Sequence, residues 1–405
     1  MRRNLTVSVL LAALFGFFVW GGLHAEPVPV TLRVALYPYV PGQHSVFTLL
    51  AQEFQKRNPG VTLELAEVDP DKEYYSGGLT SLNADVYEID SILLSEMLPK
   101  IAPLTVSLDG FTQEAKEAVT RNGAIYAVPH WLCGNFLFYR KDDAPIRDAA
   151  TWSDLLKALR QRNKALIFDF YGKLTLGEWY ITLLADRLGV EQAQQSVLAS
   201  DKPDDTVVSD LRKILAACPT GYCRSPAFHD KTGFYARAFV RGEASAYIGY
   251  SESLHYGLQE IIDNCGLGSA CLSAGDIAVR RLPSITGNVG GGIGWVDGLA
   301  VSKDVTGTKR DMARKFIEFA TSVDGYNSVL QSIYGEAPRY LLAARAGVSP
   351  PEAPLYPELI KAHAGRQTGT KQGLNAGLQA LSRNLDCQLP IDRTDNGGLS
   401  KCKAP

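Results

Sequence analysis

The sequence is poor in the residues that mark metal centres and nucleic-acid surfaces. It contains six histidines, and their scattered positions match no metal-ligand spacing. Lysine and arginine number 41 against 43 aspartates and glutamates, so the formal net charge of −2 predicts no nucleic-acid partner. Low-complexity tracts and internal repeats are also missing. We therefore expect an ordinary globular protein that binds no metal and needs no cofactor.

Long apolar runs are absent beyond the first 25 residues. The chain opens with Arg2 and Arg3, continues through an apolar stretch over residues 7–20, and reaches the small residue Ala25. That stretch is shorter than the ~20 residues needed to span a bilayer. It predicts a secretory signal peptide over residues 1–25, and a secreted or periplasmic product without a stable membrane anchor. Removal of the signal peptide would take away these two arginines and change the net charge from −2 to about −4.

Cysteine is scarce, and the spacing of the seven residues leaves one apart. Cys133 has no cysteine near it in sequence. A lone thiol in an oxidising compartment is either a buried, inert side chain or a catalytic thiolate. Six cysteines allow about fifteen pairings, and proximity alone supports the pairing predicted here. The predicted disulfides are Cys218 with Cys223, Cys265 with Cys271, and Cys387 with Cys402.

The length of the chain predicts two lobes. About 380 residues follow the predicted signal, which exceeds the ~250–300 residues at which a single core stops growing. Residues 30–36 have the apolar, β-branched pattern of a strand, residues 44–57 have helical spacing, and residues 61–68 form the next strand pattern. This βαβ opening predicts an α/β fold with a ligand site at the carboxyl ends of its strands.

Two reactive side chains are expected at the ends of strands. Strand patterns over residues 124–128 and 136–139 place Cys133 in a short connection over residues 129–135. Another predicted strand over residues 244–250 delivers Glu252 at its carboxyl end. Glu252 could also be a solvated acid at the start of the helix that follows.

A histidine close to the lone cysteine is a second candidate for a base. His130 lies three residues before Cys133, which suggests a Cys-His dyad. Strand alternation leaves the orientation of His130 open, however, because its side chain could point to either face.

The order of these elements resembles the type II periplasmic solute-binding fold. The sequence cues are Asn58-Pro59-Gly60 after the first helix, IYAVP at 125–129, TWSDL at 151–155 and VSK at 301–303. This resemblance implies an α/β protein with two lobes joined by crossing strands and a ligand cleft between them. The first lobe is expected over residues 26–137 plus 284–345, and the second over residues 138–283. The lobe to which a helical C-terminal segment, 346–405, belongs stays open.

Two motifs are similar to those of thiaminase I (thiamine pyridinylase), an exported enzyme family with that fold. They read VPHWLCGNFLFYR at 128–140 and IGYSE at 248–252. The resemblance implies that Cys133 is the nucleophile and Glu252 the general base. In the implied reaction, the thiolate adds to the pyrimidine of thiamine, and the thiazole is expelled. A small amine, pyridine or thiol then takes its place at the methylene bridge.

The same resemblance implies a set of substrate-binding residues. These are aromatic and acidic side chains suited to a flat cationic heterocycle that carries an amino group. Asp90 is an alternative to Asp85 in this set. Trp295 stands where the family has a tyrosine, which keeps the aromatic surface but removes a phenol. The implied residues are Tyr37, Tyr39, Asp85, Tyr235, Tyr250, Trp295 and Asp297.

A non-catalytic function is the alternative that the sequence leaves open. A monomeric extracellular solute-binding protein for thiamine, or for a related small molecule, would share the fold and need no nucleophile. Its ligand would stay intact, and binding would survive the change Cys133→Ser. The enzyme would instead need thiamine and a small nucleophilic co-substrate as partners, and it too is expected to be a monomer.

Overall fold

A computed structural model describes most of the chain after the predicted signal peptide. The described residues are 29–68, 72–266, 271–287, 292–331, 333, 335–348, 350 and 353–389. The predicted signal over residues 1–25 lies outside them. In the part of the chain that the structure describes, no helix has the length and apolar character needed to cross a membrane.

Strands and helices alternate through the first two thirds of the chain, and helices dominate the last third. The strands are β1 Val30–Ala35, β2 Val61–Leu65, β3 Val86–Asp90, β4 Thr120–Arg121, β5 Ala124–Ile125, β6 Val128–Cys133, β7 Asn135–Arg140, β8 Leu166–Phe168, β9 Ala246–Tyr250, β10 Ile277–Arg281, β11 Trp295–Val301 and β12 Leu342–Ala343. The helices are α1 Gln43–Arg57, α2 Gly78–Ser81, α3 Leu94–Met97, α4 Gln113–Ala118, α5 Ala144–Arg147, α6 Trp152–Gln161, α7 Lys173–Leu188, α8 Val190–Ala199, α9 Asp205–Leu215, α10 Pro226–His229, α11 Phe234–Val240, α12 Ser253–Asn264, α13 Gly307–Ala320, α14 Val323–Leu330, α15 Tyr356–His363 and α16 Leu374–Gln388.

The first sheet has six strands in the order β12-β6-β11-β3-β1-β2. Strand β1 is parallel to β2 and β3, whereas β11 is antiparallel to both β3 and β6. The carboxyl ends of β1, β3 and β6 therefore share one edge of the sheet with the amino end of β11. Side chains at this edge come from four separate parts of the sequence.

The second sheet has four strands in the order β10-β7-β9-β8. Strand β9 is parallel to β8 and antiparallel to β7, and Asn135 at the start of β7 pairs with Tyr250 at the end of β9. The carboxyl ends of β8 and β9 therefore lie at the same edge as the start of β7. Only Gly134 separates β6 of the first sheet from β7 of the second. The edge of the first sheet at which β6 ends therefore lies next to the edge of the second sheet at which β9 ends.

Two sheets, each with its own helices, form the predicted two-lobed α/β fold. The chain passes from the first sheet to the second at Gly134 and returns between β10 and β11. The residue boundaries of the lobes stay a prediction. Helix α16 packs against α7 and α8. The approach to α7 is close, because a Cβ atom on Gly177 would lie 2.8 Å from the carbonyl oxygen of Leu378.

Local sequence signals mark the start of one helix and fail at one strand. Thr151 and Asp154, in the TWSDL cue, form a capping box at the start of α6. The predicted connection over residues 129–135 was wrong, because β6 continues through it to Cys133. Its proline is tolerated because Pro129 pairs with Gly298 beside a register shift in β11, where a missing backbone N–H breaks no regular ladder.

Candidate active site

Cys133 is the last residue of β6 and lies beside β11. It pairs with Trp295, and Asp297 follows two residues later on the same face of β11. The Cys133 thiol donates a hydrogen bond to Oδ2 of Asp297 at 3.3 Å. Among the described residues, Cys133 is the free cysteine, and it is partly exposed. The strand end thus presents a thiol directly beside a carboxyl group.

The disulfides separate the structural cysteines from this thiol. Cys218 is bonded to Cys223, and Cys265 is bonded to Cys271, so both of these predictions are confirmed. The third predicted pair includes Cys402, which lies outside the described residues.

The surroundings of Cys133 favour the protonated thiol. Burial raises the pKa of Cys133 well above its usual value, and the negative charges of Asp297, Glu252 and Asp90 raise it further. The side chain is therefore a neutral thiol at neutral pH. A thiol in this state needs a base to become a nucleophile.

Glu252 has the properties of such a base. It follows the end of β9, is partly buried, and accepts a hydrogen bond from Oγ of Ser251 at 3.1 Å. Burial raises the pKa of Glu252 to about 7, and its charge acts on Cys133. A carboxyl group that is about half ionised near neutral pH can both take and return a proton.

Two buried aspartates lie side by side on neighbouring strands of the first sheet. Asp90 ends β3 and pairs with Asp297 of β11. Burial raises the pKa of Asp90 to about 6. Burial also raises the pKa of Asp297 well above its usual value, and the nearby charges of Asp90 and Glu88 add to this effect. Two like charges this close oppose each other's ionisation, so each carboxyl group is harder to ionise than a free aspartate.

Tyrosines surround these carboxyl groups. Tyr37 follows β1, and its hydroxyl lies 2.7 Å from the hydroxyl of Tyr75. The Tyr75 hydroxyl donates to Oδ2 of Asp90 at 2.8 Å. Tyr39 is half exposed, and its ring is parallel to that of Tyr75 with centroids 6.2 Å apart. The structure therefore brings the predicted Tyr37 and Tyr39 to the site and adds Tyr75, which the sequence signalled only as a Tyr-Tyr doublet after β2.

Glu178 of α7 is a site residue that sequence reasoning missed. Its carboxylate accepts hydrogen bonds from the Tyr250 hydroxyl at 2.6 Å and from Nε1 of Trp295 at 3.1 Å. Nδ2 of Asn135 also donates to it at 3.1 Å. Burial raises the pKa of Glu178 to about 7. A lone acid within the apolar run LTLGEWYITLL was the signal that could have identified it.

Trp295 keeps a hydrogen-bond donor at the position where a phenol was expected. Its indole N–H takes part in the Glu178 contact, and its ring is buried beside Cys133 on the neighbouring strand. The substitution therefore preserves both an aromatic face and a polar link to the second lobe.

Both lobes contribute to a small cavity between the sheets. Its volume is about 20 Å³, which is far below the ~300–1,000 Å³ of typical small-molecule sites. The described form of the cleft is therefore nearly closed. Within the described residues, no three His, Cys, Asp or Glu side chains are grouped to hold a metal ion. The cavity is lined by Tyr75, Asp90, Ile92, Leu174, Glu178, Tyr250 and Trp295.

Two of the predicted binding residues lie elsewhere. Asp85 precedes β3, at the opposite end from Asp90, where it accepts from the Arg33 backbone at 2.7 Å and pairs with Lys309 at 2.8 Å. Tyr235 of α11 donates to the carbonyl oxygen of Tyr222 at 3.0 Å, and none of its described hydrogen bonds reaches Cys133 or its neighbouring carboxyl groups. The alternative residue Asp90 occupies the place that Asp85 was expected to fill.

His130 is engaged away from the thiol. It is buried, its Nδ1 lies in hydrogen-bond contact with Glu88, and its ring packs against Trp131. None of its described hydrogen bonds reaches Cys133. The proposed Cys-His dyad is therefore not formed.

Two residues of the C-terminal segment contact the backbone at the crossing between the sheets. Nε2 of His363 lies 3.3 Å from the carbonyl oxygen of Cys133, and Arg366 donates to the carbonyl oxygen of Asn135 at 2.7 Å. The Arg366 guanidinium also stacks on Phe136, 4.5 Å from the ring centroid. Because these residues are more than 200 positions from Cys133, no local pattern could have indicated their contacts.

Known proteins resemble the chain in sequence and structure. Thiaminase-1 of Paenibacillus thiaminolyticus is 28% identical over 364 residues, which cover 84% of this chain and 83% of that protein. Thiaminase I from Bacillus thiaminolyticus has a TM-score of 0.69 at 22% identity, over 89% of this chain and 100% of that one. Clostridium botulinum thiaminase I in complex with thiamin has a TM-score of 0.68 at 19% identity, over 88% and 100%.

A family model agrees with this architecture. The model for bacterial extracellular solute-binding proteins matches residues 49–354, which include the second sheet, both crossings and every strand of the first sheet except β1. The predicted type II periplasmic-binding fold and the predicted resemblance to thiaminase I are thereby confirmed. The chain belongs to the bacterial extracellular solute-binding protein family and, within that two-lobed fold, is similar to thiaminase I.

Proposed function

We propose that the chain is a thiamine-degrading transferase, a thiamine pyridinylase. Its sequence relative is a thiaminase, and a structural relative was solved with thiamin bound. The observation that carries the proposal is the environment of Cys133. Its free thiol donates to Asp297, and the partly buried Glu252, with its pKa raised to about 7, acts on it electrostatically.

The first half of the proposed reaction forms a covalent adduct. The Glu252 carboxylate takes the Cys133 proton, and the sulfur forms a bond to the pyrimidine ring of thiamine. The resulting electron-rich ring expels the thiazole: the bond between the methylene bridge and the thiazolium nitrogen breaks, and its electron pair leaves with that nitrogen. Cysteine suits this step because its sulfur is a soft nucleophile that can later depart.

The second half releases the enzyme. An amine, a pyridine or a thiol forms a bond to the methylene carbon, and the electron pair of the bond between Cys133 and the ring returns to sulfur. The Cys133 proton first leaves Glu252 for solvent, so the carboxylate can take the proton of an incoming amine or thiol and return it to the thiolate. A pyridine carries no such proton, and the thiolate then takes one from solvent through Glu252. The carboxyl group with its pKa near 7 can serve in both directions.

The surrounding side chains fit the heterocycles of thiamine. Aromatic faces at Tyr37, Tyr75 and Trp295 suit flat rings, including a cationic one. The carboxyl oxygens of Asp90 and Asp297 can accept hydrogen bonds from an aminopyrimidine, and their raised pKa values favour the sharing of a proton with a ring nitrogen. Asp85 and Tyr235 are left out of this proposal because they lie elsewhere.

Mass spectrometry of the intact protein after exposure to thiamine tests the proposal. We expect a pyrimidine adduct on Cys133 and release of free thiazole when an amine or thiol acceptor is present. The Cys133→Ser variant should form no adduct and release no thiazole. Thiamine that stays intact with several acceptors, while binding in stoichiometric amounts, would instead establish a non-catalytic binding protein.

We infer that the chain is exported. Support comes from the extracellular family to which it belongs and from the signal-like pattern over residues 1–25. Amino-terminal sequencing of the protein recovered from the periplasm or medium tests this inference, with Glu26 expected as the first residue.

A further inference from the structure

Helix α16 links the two lobes beside the cavity. It packs on α7, and the absence of a side chain at Gly177 lets the helices approach closely. Helix α7 follows β8 of the second sheet and carries Glu178, which lines the cavity. The position of α16 is therefore fixed relative to the second lobe.

Two amide side chains of α16 reach the first lobe from this position. Nδ2 of Asn375 donates to the carbonyl oxygen of Tyr75 at 3.0 Å, and Nε2 of Gln379 donates to the same oxygen at 3.1 Å. Gln379 also donates to Oδ1 of Asn375 at 3.0 Å. The two residues are one helical turn apart, so they present their amides side by side. Asn375 is almost completely buried, at 4% exposure.

The residue they hold is part of the candidate site. Tyr75 lies between β2 and β3 of the first sheet and lines the cavity. Its hydroxyl donates to Asp90 and lies beside the Tyr37 hydroxyl. One end of Tyr75 is thus fixed to the second lobe through α16, while the other end orders an acidic group of the first lobe.

We propose that Asn375 and Gln379 are positioning residues that clamp Tyr75 across the cleft and hold the lobes closed around the cavity. The cavity of about 20 Å³ is too small for a two-ring substrate, so the lobes must separate for entry. Separation of α16 from Tyr75 breaks both hydrogen bonds from the side-chain amides, and closure forms them again after the substrate has entered. The clamp therefore couples closure to the placement of the Tyr75 hydroxyl on Asp90.

Solution scattering tests the clamp without any turnover. The double variant Asn375→Ala/Gln379→Ala should have a larger radius of gyration than the wild type when no ligand is present. Asn375→Asp should act in the same direction, because a carboxylate keeps the volume of the side chain but cannot donate to the Tyr75 carbonyl. Should the double variant fold poorly, Gln379→Ala at its partly buried position gives the same comparison.

A matched control lies on the same helix. Nδ2 of Asn384 donates to the carbonyl oxygen of Asp201 at 2.7 Å, a bond to the α8–α9 connection of the second lobe. Asn384→Ala should leave the scattering curve unchanged. The clamp is wrong if the double variant and Asn375→Asp give the same curve as Asn384→Ala and the wild type.

Kinetics provide a second readout, which rests on the proposed function. We expect kcat/KM for thiamine with a pyridine acceptor to fall about tenfold in the double variant, since two neutral hydrogen bonds of modest strength are lost. Most of the change should appear in KM, because Cys133 and Glu252 are untouched. An unchanged KM would overturn the positioning role. A wild type that leaves thiamine intact would refute the proposed function, and the scattering comparison would still decide the clamp.

Discussion

The Cys133 thiol donates its hydrogen bond to Asp297, 3.3 Å away on the neighbouring strand. This carboxyl group lies opposite Asp90 on its other side. Negative charge around the sulfur disfavours the thiolate, so the resting nucleophile is kept protonated and less open to oxidation. Reactivity then depends on a base, and on a substrate whose positive charge offsets the surrounding carboxylates.

Removing the charge of Asp297 should make the thiol more acidic. In Asp297→Asn, the amide takes away a negative charge that raises the pKa of Cys133, so more thiolate forms at a given alkaline pH. We expect faster alkylation of Cys133 by iodoacetamide at pH 8 to 9, measured by mass spectrometry. Turnover of thiamine should fall, because the same side chain belongs to the aspartate pair proposed to bind the pyrimidine.

The matched control for this variant is Asp85→Asn. It makes the same chemical change on the first sheet, but at the opposite end of β3, where Asp85 pairs with Lys309. Alkylation of Cys133 should proceed at the wild-type rate. Equal acceleration in both variants would contradict a direct effect of Asp297 on the sulfur.

The pH dependence of turnover should report Glu252. A base must be ionised to accept the thiol proton, and the pKa of Glu252 is raised to about 7. The value of kcat/KM should therefore rise with pH and level off above an apparent pKa near 7. Glu252→Gln should remove this limb and lower kcat/KM by about 10²–10⁴-fold, as expected for the loss of a general base. Pre-steady-state release of thiazole across pH 5 to 9 measures both effects.

Two further variants separate Glu252 from other candidates. Glu178 has a similarly raised pKa but is bonded to Tyr250 and Trp295, and His130 is occupied by Glu88. Glu178→Gln and His130→Gln should retain the rise in kcat/KM near pH 7. Disappearance of that rise in His130→Gln, with Glu252 intact, would return the histidine to the role of base.

The sequence was most informative where chemistry and local pattern coincide. The length of the chain predicted two lobes, the alternation of strands and helices predicted an α/β fold, and the motif around Cys133 predicted a site residue. The prediction that residues 129–135 form a connection failed, because β6 continues past Pro129 to Cys133. A proline fits there because the pairing with β11 is irregular, with His130 left over between the pairs at Pro129 and Trp131, and this irregularity is visible only once the two strands are paired.

Long-range contacts account for what the sequence could not show. Asp85 and Asp90 are the same residue type, and the choice between them depends on which end of β3 lies beside Cys133. Glu178 enters the site through the packing of α7 against the crossing, and Asn375 enters through α16. Neither position carries a local motif, because their partners are set by tertiary packing.

The crossing at Gly134 should tolerate no side chain. A Cβ atom there would lie 2.1 Å from Nη1 of Arg366, whose guanidinium is held in place by burial, by its hydrogen bond to the carbonyl oxygen of Asn135 and by stacking on Phe136. Overpacking of this kind typically costs about 1–3 kcal/mol. We expect Gly134→Ala to lower the free energy of unfolding by about that amount in urea titrations. Gly275→Ala, where a Cβ would make only ordinary contact, should change it little.

One thiol per chain should titrate when the protein is unfolded without a reducing agent. Cys218–Cys223 and Cys265–Cys271 are bonded, and a bond between Cys387 and Cys402 is predicted, which leaves Cys133. Reaction with a chromogenic disulfide in denaturant should give one equivalent for the wild type and none for Cys133→Ser. The native protein should react more slowly than the unfolded one, because burial and neighbouring carboxylates hold the pKa of Cys133 high. Three equivalents would show that the third pair does not form. None in the wild type would mean that Cys133 is oxidised or bridged to a second chain, because seven cysteines cannot all pair within one chain, and this would remove the proposed nucleophile.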